Sequence, residues 1–200
     1  MPLFPAFLKM QGRRCLVVGA GPIAEEKIES LLHAGATIQV VAPAATELVQ
    51  AWAREKKIRW QPRKFRSADL AGAFIVIAAT SSSALHAKIC KEARRRGVLC
   101  NSVDDPDNCD FYYGAVVRRG DLQIAISTAG HSPALAQRLR RKLEKDIGVE
   151  YERWVTTLGA ARKRLFAKTI SPARRKALLH ALASEISFEK FLRSRHASKK

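Results

Sequence analysis

Two hundred residues suffice for one sizeable core with a smaller appended unit, and 47% hydrophobic against 27% charged residues is the balance of a globular chain, not a disordered one. No apolar run reaches the roughly 18 residues that span a bilayer, and the opening Met1 to Leu8 is too short and proline-broken for a secretory signal, so a cytoplasmic protein without membrane attachment is expected. The net charge of +18 leans on the C-terminal third, where residues 134–200 carry 18 Lys and Arg against 6 Asp and Glu; this favours an anionic partner without choosing between nucleic acid, acidic lipid and a polycarboxylate.

Taken in chain order, residues 13–18 (RRCLVV) predict a strand that turns at Gly19-Ala20-Gly21. Residues 22–34 predict a helix with Ile23, Ile28, Leu31 and Leu32 on its apolar face and Gly35 as its stop. Residues 37–42 read as a second strand, 45–57 as a second helix and 58–60 as a short strand. The continuous apolar run 73–79 (AFIVIAA) has the character of a central parallel strand. A helix over 82–96 ends in Arg94-Arg95-Arg96, favourable at the negative pole of its dipole, and 98–103 (VLCNSV) is the next strand. This alternation predicts a Rossmann-type α/β fold, a parallel sheet with helices on both faces.

The pattern then changes. Residues 111–117 and 122–127 read as paired strands separated by Arg118-Arg119-Gly120-Asp121. Ser132-Pro133 is an N-cap followed by proline at the first helical position, opening a helix to about Ile147. Helices are expected over 150–166, 171–184 and 185–195, with the tail fraying from Ser194. The resulting organisation is a Rossmann domain over 1–110, a small segment over 111–147 and a helical C-terminal domain over 148–200. The cysteines, Cys15, Cys90, Cys100 and Cys109, never stand at CxxC spacing, so no metal site is read; Cys15 and Cys100 fall in apolar runs and read as buried thiols.

Four stretches carry candidate chemistry. Gly19-Ala20-Gly21-Pro22-Ile23-Ala24 is a GxGxxA turn: the first glycine permits the tight bend, the second lets a pyrophosphate approach the backbone, and the small Ala24 lets helix and strand pack closely. The second strand offers no acid for a ribose, only Val41-Ala42-Pro43-Ala44, and no nearby Arg for a 2′-phosphate, which leans toward NAD. Thr80, after the central apolar strand, is either a ribose contact or, with Ser81, a cap for the next helix. Asn101-Ser102-Val103-Asp104-Asp105-Pro106 ends the following strand, where Asp104 is either a proton acceptor beside the nicotinamide or part of a turn. Ser127, Thr128, Gly130, His131 and Ser132 join a strand to a helix N-terminus, and are read either as a carboxylate-binding loop or as an ordinary cap. Arg138, Arg140, Arg141, Lys142 and Lys145 follow on that helix.

These motifs stand in a fixed order: FPAF at 4–7, GAGPIAEEK at 19–27, IAAT at 77–80, CNSVDDP at 100–106 and STAGHSPALAQRLR at 127–140. Together they resemble the precorrin-2 dehydrogenase/sirohydrochlorin ferrochelatase family. The resemblance implies a Rossmann domain, a dimerisation segment and a helical domain, with oxidation of precorrin-2 to sirohydrochlorin by NAD+. It places the family's key aspartate on Asp104. It places the nucleotide contacts on Gly19, Gly21, Pro22, Ile23, Pro43 and Ala44. A polycarboxylate tetrapyrrole substrate would give the basic surface a rationale. The alternatives weighed are additional Fe2+ insertion into sirohydrochlorin, a non-enzymatic NAD-sensing module, and nucleic-acid binding, the last disfavoured because neither an aromatic RNA motif nor a helix-turn-helix is present.

Overall fold

The computed structural model describes residues 3–197. The chain divides into two compact units, the first ending at Tyr113 and the second beginning at Gly114.

The first unit is an open parallel sheet. Its strands are β1 (Arg14–Val18), β2 (Thr37–Val41), β3 (Arg59–Gln61), β4 (Ile75–Ala78) and β5 (Leu99–Ser102), in spatial order β3-β2-β1-β4-β5. Helices α1 (Pro22–His33), α2 (Glu47–Arg54) and α3 (Ser83–Arg95) connect them, with 3-10 turns at Ser67–Leu70 and Pro106–Asn108. Because successive side chains of a strand face opposite sides, β1 feeds two cores. Cys15 and Val17 pack with Ala24, Ile28, Leu31 and Val49 of α1 and α2. Leu16 and Val18 pack with Ile89, Cys90 and Ala93 of α3. All four are essentially inaccessible, the signature of a strand covered on both faces.

Several sequence expectations shift at their edges for local reasons. The second helix is α2, shorter than 45–57: Thr46 caps it by accepting from the Val49 N–H, and Lys56 takes a left-handed φ of 57° that ends it. The helix before β5 is capped by Ser82, whose hydroxyl accepts from the Leu85 N–H, and not by Thr80 or Ser81. Cys15 is a buried thiol as expected, and burial pushes its pKa up to about 11. Cys100 is not: it is joined in a disulfide to Cys90, because α3 lies against β5 and brings the two Cα atoms to 5.6 Å. Beyond β3, Arg63 donates to both oxygens of the buried Asp69 carboxylate, which the guanidinium holds below its ordinary pKa.

The second unit pairs β6 (Ala115–Arg119) with β7 (Leu122–Ile126) antiparallel, followed by α4 (Pro133–Asp146), α5 (Glu150–Phe166), α6 (Pro172–Leu182) and α7 (Glu185–Ala197). The strand expected from Phe111 begins only at Ala115, and Arg118 and Arg119 belong to β6, leaving a tight turn at Gly120-Asp121. Residues 111–113 are aromatic but join no ladder; Phe111 packs on the core of the first unit. Arg119 caps α4 from outside, donating to the carbonyls of Glu144 and Ile147 at 2.8 Å each. Trp154 of α5 gathers Phe188 and Phe191 of α7 into an aromatic cluster. Helix α7 continues to Ala197, past the expected fraying point at Ser194; Met1, Pro2 and residues 198–200 lie outside the described residues.

Candidate functional site

Register builds the site. Val18 of β1 stands beside Val41 of β2 and Ala78 of β4, and Ala78 stands beside Ser102 of β5. The next residues of each strand therefore emerge together at one edge of the sheet: Gly19, Ala42-Pro43, Ala79-Thr80 and Val103-Asp104. The ladder runs one step further across them. The Gly19 N–H donates to Val41 O, Ala79 N–H to Val18 O and Val103 N–H to Ala78 O, at 2.8–3.0 Å. Carboxyl ends of parallel strands are where an open α/β sheet binds its ligand.

The two glycines of the turn have different physical reasons. Gly19 has φ +108°, and a Cβ there would collide with the Ala79 carbonyl oxygen, so backbone packing excludes any other residue. Gly21 is extended at φ −85°, ψ −175°, and nothing lies within 4 Å of where its Cβ would be. That open space lies at the N-terminus of α1, which no side chain caps. Ala24 is fully buried against the sheet, as close packing requires, while Pro22 and Ile23 are exposed at the first turn. An uncapped helix N-terminus beside open space over a glycine fits a dinucleotide pyrophosphate. Pro43 and Ala44 are exposed after β2.

The loop after β5 is tightly organised. Asp104 is exposed and takes a left-handed φ of 59°, a conformation stored at few non-glycine positions and often at functional ones. Asp105 is turned inward: its carboxylate accepts from Asn108 Nδ2 at 2.8 Å and from Ser102 Oγ at 3.5 Å. Around them, Asn101 Nδ2 donates to Phe111 O, and Asp110 accepts from the Cys100 N–H at 2.8 Å. The Cys109 sulfur accepts from the Ser102 N–H and donates to the carbonyls of Ser102 and Asp105. Burial raises the Cys109 pKa, keeping the thiol protonated for those bonds. Sequence reading singled out Asp104 as either a proton acceptor or a turn residue, and the structure puts it in the exposed turn after β5. Sequence reading missed the supports Cys109, Asn101, Asp110 and a buried histidine, His86, whose partners lie 6–16 residues away and leave no periodic trace.

Ser127, Thr128, Gly130, His131 and Ser132 lie in the second unit, between β7 and α4. Ala129 and Gly130 both take positive φ, 50° and 84°. Each hydroxyl accepts from a local amide: Ser127 from Ala129, Thr128 from Ser132, and Ser132 from Leu135 as the cap of α4. Their hydroxyl protons are left to donate outward, and His131 is exposed.

A glycine turn opening into an unobstructed helix N-terminus, at the ligand edge of a 3-2-1-4-5 parallel sheet, defines an NAD(P)-binding protein of the Rossmann class. Residues 6–115, more than half the chain, match the family described as "Putative NAD(P)-binding", and residues 119–146 match the one described as "Sirohaem biosynthesis protein central". The chain belongs to this NAD(P)-binding family, and the second, shorter match is to a segment of sirohaem-synthesis proteins. The chain is 40% identical over 153 residues to the siroheme synthase of Nitrosococcus oceani, covering 76% of this chain and 33% of that one. It is 41% identical over 144 residues to the siroheme synthase of Neisseria meningitidis, covering 72% and 30%. It thus spans about a third of the length of these relatives. Among solved structures, "SirC, precorrin-2 dehydrogenase" superposes with a TM-score of 0.78 at 28% identity, over 96% of this chain and 98% of that one.

Proposed function

We propose that this chain oxidises precorrin-2 to sirohydrochlorin with NAD+, as a step of sirohaem synthesis. The observation that carries the reading is Asp104, an exposed carboxylate in left-handed backbone on the same sheet edge as the glycine turn. The near-complete coverage of SirC supports the choice of substrate. The oxidation removes a hydride and a proton from the tetrapyrrole. Bound NAD+ supplies the hydride acceptor. Asp104 takes the proton, and before that its negative charge stabilises the positive charge that develops on the substrate. Gly19, Gly21, Pro22 and Ile23 seat the pyrophosphate, Pro43 and Ala44 flank the adenosine end, and Thr80 contacts a ribose. Ser127, Thr128, Gly130, His131 and Ser132 donate hydrogen bonds to substrate carboxylates, and the basic surplus serves the same polyanion instead of DNA or RNA.

NAD is preferred over NADP in this reading because the end of β2 carries no cation. Arg63, beyond β3, is already committed to Asp69 and to the Gln61 side chain. Anaerobic incubation with precorrin-2 is the test. NADH is expected to appear with NAD+, and more slowly with NADP+ at equal concentration. No reduced nucleotide with either cofactor would end the proposal, and equal rates would end the preference. Fe2+ insertion into sirohydrochlorin is scored in the same vessel.

The chain is read as a cytoplasmic homodimer joined through residues 111–147. Helix α4 leaves Leu135 and Leu139, one turn apart, each 37% exposed. A second copy would cover both. Sedimentation at micromolar concentration is expected to give a dimer; a monomer removes this part of the reading.

A further inference from the structure

Among the buried titratable side chains that the mechanism above leaves unused, one stands between two loops of the site. His86 lies on the first turn of α3, 5% exposed, and both of its ring nitrogens are engaged. Nε2 is 3.0 Å from the Thr80 backbone nitrogen, and Nδ1 is 3.0 Å from Ser102 Oγ. A backbone N–H can only donate, so Nε2 must be the unprotonated acceptor. A neutral imidazole then carries its proton on Nδ1 and donates it to Ser102 Oγ. The Ser102 hydroxyl proton is left to donate to Asp105 Oδ2, 3.5 Å away, which also accepts from Asn108. Every donor in this chain points one way: from the loop after β4, through the imidazole, into the loop after β5.

We propose that His86, held neutral with its proton on Nδ1, is a positioning residue that locks the Thr80 loop and the Asp104–Asp105 loop to each other. The ring is buried, with both nitrogens spent on protein partners, so it acts through those partners. Through Nε2 it fixes the backbone of Thr80, whose own hydroxyl accepts from the Ser82 N–H. Through Nδ1 and Ser102 it fixes Asp105, and so the left-handed residue immediately before it. The role of each arm rests on the placement of cofactor and proton acceptor proposed above; the tautomer and the coupling of the two loops do not.

The two arms separate chemically. A glutamine amide reaches about as far as Nε2, and an asparagine amide about as far as Nδ1. His86→Gln keeps an acceptor for the Thr80 amide and abandons Ser102. His86→Asn keeps a donor for Ser102 and abandons Thr80. The loss in His86→Asn is expected to fall on NAD+ binding, measured by calorimetry without substrate, at roughly five- to tenfold for one buried hydrogen bond. In His86→Gln it is expected to fall on kcat by a similar factor, with the NAD+ dissociation constant within about twofold of wild type. Both variants losing binding and turnover together, in step with melting temperature, would reduce His86 to packing and overturn the proposal. Long-range 15N–1H spectra of the histidine-labelled wild-type protein test the tautomer directly. A protonated Nε2 overturns the proposal even if neither variant folds. Because the spectra and the calorimetry need no precorrin-2, they hold if the dehydrogenase reading fails, and their failure is distinct from its failure.

Discussion

Asp104→Asn is expected to bind NAD+ as wild type does while losing roughly 10²–10⁴-fold in turnover, the usual worth of a positioned proton acceptor. Asparagine is the informative substitution because the backbone here has φ 59°, which Asn tolerates and most residues do not. It keeps shape and conformation and removes the negative charge together with the capacity to take a proton. Asp104→Gly relaxes the backbone and deletes the carboxylate, and should fall by a similar factor; Asp104→Ala adds conformational strain to the same chemical loss. Asp105→Ala should behave differently. Its carboxylate is engaged by Asn108 and Ser102, so its removal should cost about 1–3 kcal/mol of stability and much less turnover. Unfolding by denaturant and steady-state kinetics on the same preparations separate the two. Turnover of Asp104→Asn within a few-fold of wild type would move the proton acceptor elsewhere, with the exposed His131 the next residue to test.

Gly21→Val should abolish useful cofactor binding without disturbing the fold. The backbone at Gly21 is extended, a conformation valine favours, and the space its side chain would fill is empty of protein. The same space is what a pyrophosphate needs. At least a tenfold weakening of NAD+ binding, about 1.4 kcal/mol, is expected by calorimetry with the melting temperature unchanged. Gly19→Ala should do the reverse first. Its left-handed φ and the Ala79 carbonyl pressed against it make any Cβ a backbone problem, costing about 1–3 kcal/mol of strain and lowering the melting temperature by several degrees. Unweakened binding in Gly21→Val would show that no dinucleotide lies over this turn.

What was legible in the sequence is what local periodicity and punctuation encode. The glycine turn, the apolar runs of β1, β2, β4 and β5, and the Ser132-Pro133 cap are each fixed by residues within a few positions, and each is found where the sequence puts it. The misreadings have equally local causes. The aromatic residues after Cys109 imitate a strand because burial against a core and burial in a ladder demand the same side chains. The charged end of α2 imitates more helix until Lys56 turns left-handed. The supports of the site were hidden for a different reason. His86 meets Thr80 and Ser102 only once β4 and β5 lie side by side, and Cys109 and Asp110 meet Ser102 and the Cys100 amide only once the loop after β5 folds back on it. A histidine with two ring partners reads, in one dimension, like any histidine on a helix.

The ladder bonds that continue past the strand ends bear on how the crevice moves. The amides of Gly19, Ala79 and Val103 are each clasped by the neighbouring strand, so the crevice floor cannot fray one loop at a time. It opens only when the sheet itself opens, and these three amides should rank with the slowest-exchanging in the chain. Any breathing that admits a cofactor is thereby left to the rim: Pro43-Ala44 after β2 and the exposed Ser81 after Thr80. The floor acts as bedrock, and adaptation to different nucleotides or substrates has only those short shores to work on.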